Sequence, residues 1–304
     1  RGIPSTSREI MSNGRHLHVA GIIPLANLST ELGLPVSDCL LPVDPGFTAI
    51  QKAVFECAMA GCQTIWIVAN DDLAPIVKKV VGEWTYDPVH YCRQHEMYPS
   101  ENRKEIPIYY VPVHPKDRDR RDSYGWSVLY GINSAWRVAN IISHWMVPQK
   151  YFVAFPMSAY NVYALKNLRP KISDFENNFF LMHEGKTIKD NKPLAFTMLG
   201  EDFIQCRRHV NKITTREYIN PEPHEKYPTQ KLPLAERWSA RNFDLATVFE
   251  KVSEKNAHKE TIDWHYDIAQ WEEYQAFMGS ENFIQKPTNS LTKAHTHVKL
   301  PYRE

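Results

Sequence analysis

The chain has no CxxC pair. Its five cysteines, Cys39, Cys57, Cys62, Cys92 and Cys206, are odd in number and follow no repeated spacing. That argues against a disulfide scaffold and favours a reducing compartment. Cys57 and Cys62 fall in a helix-like run and read as buried structural thiols. No apolar stretch approaches the roughly 20 residues that span a bilayer. Charge of one sign is also lacking: 36 Lys plus Arg stand against 35 Asp plus Glu. No global field draws nucleic acid or an anionic membrane, so neither is expected as a partner. The first ten residues, RGIPSTSREI, lack an apolar h-region and do not read as a signal peptide, and Met11 is an alternative start. The expectation is a cytoplasmic protein, or one that joins an intracellularly assembled complex. Internal repeats and low-complexity tracts are absent.

What is present is an alternation of strand-like and helix-like runs. A chain of 304 residues, 43% hydrophobic, is ample for one large α/β domain or two smaller ones. HVAGII, residues 18–23, reads as a buried strand. Residues 49–61 carry apolar positions at helix spacing and end on Gly61, a helix stop. Residues 64–70 form a β-rich run. Residues 71–84 begin with an N-cap-like Asp71-Asp72 and read as a helix with Pro75 near its first turn. Residues 106–113 are again strand-like. This order implies a parallel sheet with helices on its faces.

Further on, 126–143 reads as an amphipathic helix, 150–157 as a strand, 159–175 as helical and 194–200 as a strand. Residues 205–233, with Pro221, Pro223, Pro228 and Pro233, read as a long irregular insertion. Residues 235–255 read as a helix, 261–268 as a strand and 271–279 as a short amphipathic helix. The expected organisation is an N-terminal arm over 1–16, a single domain over 17–279 and a tail over 280–304. The expected fold class is α/β, a mixed, mainly parallel sheet flanked by helices in the Rossmann-like manner.

Three segments carry a resemblance. VAGIIPLA is followed by SDCLLPVDPGFTAIQKAVFECAMAGCQTIWIVAN, which sets Leu40-Leu41-Pro42-Val43 before a helix ending Ala60-Gly61 and an apolar strand. DSYGWSVLYGINSAW follows, and DWHYDIAQWEEYQAFMG comes near the end. In this order and spacing they resemble the sugar-phosphate nucleotidyltransferases, GT-A-like enzymes that join a nucleoside triphosphate to a sugar 1-phosphate. The resemblance covers roughly residues 17–279. It implies a nucleotide site that includes Gly21, His114 (where the family often has a base-reading Gln), Gly125 (where a glycine lets the backbone approach the base) and Trp126. It also implies Mg²⁺ held by two aspartates, of which Asp267 matches the second.

The chemistry of that reaction needs donors and positive charge around the phosphates. The chain departs from the family at each such place. After Gly21 the loop at 22–28 has no glycine, and Pro24 has no N–H to offer. Arg15 precedes the strand instead of following it. The family lysine before Leu-Leu-Pro falls on Asp38, which reverses the charge beside a triphosphate. The first metal aspartate falls on Pro156, Met157 and Ser158, and a thioether is a poor ligand for Mg²⁺. Asp263, four residues back on the same expected strand, points to the same face as Asp267 but lies about 13 Å away by strand rise. Trp126 either stacks on a base or fills its pocket.

Two readings stand. One is a nucleotidyltransferase-like protein with a degraded site, acting as a binding or structural component of a larger assembly, with protein partners and no cofactor. The other is an active enzyme with an altered site, in which His114, Lys116, Arg118 or Arg120 replaces the lost cations and Mg²⁺ is retained. A third class, a glycosyltransferase using an Asp-x-Asp metal motif, has only Asp117 and Asp119, in a charged loop too early in the chain. His295 and His297 offer two imidazoles without a third ligand.

Overall fold

The computed structural model describes residues 18–26, 32–89, 104–113, 123–142, 147–214, 218–233 and 243–287. His114, Lys116, Asp117, Arg118, Asp119, Arg120, Arg15, Cys92, His295 and His297 lie outside them.

The expected α/β class is observed. Among the described residues the central sheet has eight strands. At its middle is β1 (Val19–Pro24), parallel to β4 (Thr64–Ala69) on one side and β7 (Lys150–Val153) on the other. Beyond β4 lies parallel β6 (Glu105–Pro112), then antiparallel β5 (Trp84–Tyr86) at the edge. Beyond β7 come antiparallel β10 (Phe196–Leu199), then β9 (Phe179–Met182), then β11 (His258–Thr261), parallel to β9. Two small ribbons sit off the sheet: β2 (Pro42–Asp44) with β3 (Phe47–Thr48), and β8 (Ser158–Ala159) with β12 (Tyr266–Asp267).

Alternation along the strands sorts side chains to two cores. Val19, Ile23, Ile65, Ile67 and Phe152 face one; Ala20, Ile22, Trp66, Val68 and Val153 face the other. The first core is covered by α1 (Ala49–Ala60), α2 (Ala74–Val81) and α4 (Leu165–Ile172). The second is covered by α3 (Tyr124–Ile142), α5 (Gly200–Thr214) and α6 (Leu245–Val248). The short helix α7 (Trp271–Gly279) follows β12.

Helix α1 is apolar nearly all round, and 11 of its 12 residues are buried, as befits a helix inside a large domain. Its start is fixed by Thr48, whose N–H donates to Gln51 Oε1 at 3.0 Å. Its end is Gly61, at φ 89°, a left-handed stop that favours glycine. Arg169 of α4 completes that end by donating to the carbonyls of Met59 (2.7 Å) and Ala58 (2.5 Å). The same guanidinium pairs with buried Asp87 at 2.6 Å.

Several expectations are corrected. Residues 205–214 are not irregular but the body of α5, whose Phe203, Cys206 and Val210 are buried at helix spacing; the prolines begin only at Pro221. Of the helix expected over 235–255, the described part is the four-residue α6, where Asp244 Oδ1 accepts from Thr247 N at 2.8 Å. Beyond it Phe249 and Val252 turn into the core. The strand expected over 261–268 is broken into β11 and β12, which leaves Asp263 exposed in the bend. Within the tail expected over 280–304, the described residues 281–287 pack on the domain: Ile284 is buried, and Lys286 N donates to Asp44 Oδ2 at 2.8 Å. Helix α2 begins at Ala74, with the carbonyl of Asn70 taking the N–H of Leu73 and Ala74 in place of an Asp71 cap.

Candidate functional site

The C-terminal ends of β1, β4 and β7 meet where a parallel α/β sheet places its ligands. Four features lie there.

The first is the turn after β1. Pro24 ends the strand with no N–H. The next two amides, Leu25 and Ala26, both donate to the carbonyl of Val68 on β4, at 2.8 and 2.9 Å. Both residues are buried. The Ala26 carbonyl in turn accepts from Ser127 Oγ of α3 at 2.9 Å. From Ile22 to Ala26 the backbone is thus tied into the sheet and helix layers, with no amide turned outward as a phosphate cradle requires. The remainder of the loop, from Asn27, lies outside the described residues.

The second is the pair of glycines and the tryptophan. Gly21 sits inside β1, and a Cβ there would come within 2.7 Å of Cys57 Sγ. Its smallness serves the close approach of β1 to α1. Gly125 opens α3, and a Cβ on it would meet Val248 of α6 at 2.9 Å. The space above that glycine is filled by an aliphatic side chain. Trp126 is 4% exposed and belongs to the second core, so its indole packs inside the protein.

The third is the turn between β7 and β8, where the resemblance puts the first metal aspartate. Ser158 there is the register partner of Asp267 across the β8–β12 ribbon. The two matching positions are therefore brought together, but one carries a hydroxyl. That hydroxyl lies 3.0 Å from His265 Nε2. Burial, with the positive charges of Lys192, His183 and Lys52, pushes His265 down to about 3, so it is neutral. The His183 ring lies 5.8 Å from that of His265, and its Nδ1 is 2.6 Å from Lys192 Nζ. Burial, aided by Glu273, raises the Asp267 carboxyl above its usual range. Among the described residues the buried Tyr124 hydroxyl has no hydrogen-bond partner, and burial together with the Asp267 charge pushes it well up.

Beneath the same turn lies a buried ion pair that sequence reading missed. Lys52 and Glu56 of α1 are both fully buried. The Lys52 ammonium donates to Glu56 Oε2 (2.9 Å) and to the carbonyls of Phe155 (2.9 Å) and Ser158 (2.6 Å). Tyr160 donates to Glu56 Oε1 at 2.5 Å. An i, i+4 Lys–Glu pair ordinarily signals a solvated face; the signal against it was that every neighbour in AIQKAVFECAMA except Gln51 is apolar. Among the described residues the donor set around Asp267 does not fit a hard divalent ion. Among the described residues no three of His, Cys, Asp and Glu come together as a ligand set, and Mg²⁺ prefers carboxylate and other oxygen ligands.

The fourth is an open groove of about 550 Å³ between the end of β1, residues 35–40 and residues 70–76. Asp38 and Leu25 line it together. The resemblance puts a lysine at position 38, and the residue there lines the same groove as the end of β1; it brings a carboxylate.

No protein-family model matches the chain, and no curated protein sequence does either. Solved structures do match. One assigned as a glucose-1-phosphate thymidylyltransferase from Bacillus anthracis, in complex with sucrose, is 9% identical over 88% of this chain and 98% of its own, with a TM-score of 0.51. A nucleoside-diphosphate-sugar pyrophosphorylase from Vibrio cholerae is 12% identical over 86% and 100%, with a TM-score of 0.48. A Mycobacterium tuberculosis protein in complex with manganese is 11% identical over 87% and 99%, with a TM-score of 0.41. The chain has a nucleotidyltransferase fold, and at these identities the likeness concerns the fold alone.

Proposed function

We propose that this protein is a nucleotidyltransferase-like fold that no longer transfers nucleotides and serves instead as a binding component of a protein assembly. The observation that carries this reading is the turn after β1, where Leu25 and Ala26 give their amides to Val68 and Pro24 has none. A triphosphate at that turn meets buried aliphatic surface, not N–H groups, and faces Asp38 across the groove. At the β7–β8 turn the backbone carbonyls hold the ammonium of Lys52, and Ser158 stands opposite Asp267. The cation at that turn is a side chain of the protein itself. What persists is the part of the family pattern that builds the sheet and α1; what is replaced is the part that touches phosphate.

Turnover decides between this and an active enzyme. The full chain, with Mg²⁺ or Mn²⁺, a panel of nucleoside triphosphates and a panel of sugar 1-phosphates, is expected to release no pyrophosphate above the protein-free rate. Nucleotide-sugar formation that rises with protein concentration and vanishes in Asp267→Ala would overturn the proposal. In that case the chain is an enzyme, and Asp267 is its metal ligand.

A further inference from the structure

We draw no further inference here: the strongest candidate, the exposed apolar surface that Trp136, Val138, Ile141 and Ile142 form at the C-terminal end of α3, carries none because nothing in the structure shows what covers it.

Discussion

Lys52→Met is expected to destabilise the protein by about 3–5 kcal/mol. Lysine and methionine are of similar length, so the cost does not come from a cavity. It comes from what the ammonium leaves behind: Glu56, fully buried, and the carbonyls of Phe155 and Ser158, which lose their donor. Breaking a buried pair by removing one partner is far more damaging than removing both. Lys52→Met with Glu56→Leu is therefore expected to recover a substantial part of the loss, though the carbonyls and the Tyr160 hydroxyl stay unmet. Burial already raises the Glu56 carboxyl, so in Lys52→Met it takes up a proton, and the penalty shrinks as pH falls. Urea unfolding of the three proteins at pH 7 measures these terms. A loss below about 1 kcal/mol in the single variant would mean that the pair is solvated and holds nothing in place.

The second large effect is a fall in stability as pH drops from 7 to 5. His265 is held at about 3 and His18 at about 4, in both cases chiefly by burial. In the unfolded chain both titrate near 6.5. Below that value the unfolded state takes up protons that the native state refuses, so stability is lost as pH falls and is fully present above it. Linkage puts the loss at pH 5 at roughly 2 kcal/mol for each histidine. That is a large share of the roughly 5–15 kcal/mol by which domains are stable. His183, also lowered by burial, adds to the fall, whereas Asp267 and Glu56, whose carboxyls are raised, work in the opposite direction. His265→Asn removes one of these groups and keeps a polar side chain beside Ser158. It is expected to flatten the fall between pH 7 and 5, as read from urea midpoints at a series of pH values. A slope unchanged in that variant would show that His265 titrates normally in the folded protein.

The parts of the fold that the sequence revealed are those set by local rules. Gly61 marked the end of α1 because a left-handed residue stops a helix, and residues 271–279 matched α7 residue for residue. Residues 64–70 were legible as a strand through their unbroken β-rich run. The errors fall where tertiary contacts decide. Prolines from Pro221 onward coloured the reading of 205–214, although Phe203, Cys206 and Val210 already kept helix spacing. Residues 245–255 have helix-forming composition, yet Phe249 and Val252 turn inward after a single turn because the core needs them there. The pairing of Ser158 with Asp267 was implied only by resemblance, since 109 positions separate the two in the chain. Lys52 and Glu56 were overlooked altogether. Their spacing suits a surface pair, and only the packing of α1 beneath the β7–β8 turn gives them a buried role.

At Gly125 packing alone is enough to require glycine. In the resemblance a glycine there admits a base, whereas here Val248 stands 2.9 Å from where a Cβ would lie. A position that requires glycine is kept either way, by a ligand in one case and by an aliphatic neighbour in the other. The sequence alone does not distinguish the two.

The central claim is that the frame around β1 is kept while its capacity to hold a triphosphate is not. Calorimetric titration of the full chain with Mg²⁺-bound nucleoside triphosphates tests it most directly. The account predicts no saturable heat up to millimolar nucleotide. Saturable binding tighter than about 100 μM that is lost in Asp267→Ala would contradict it.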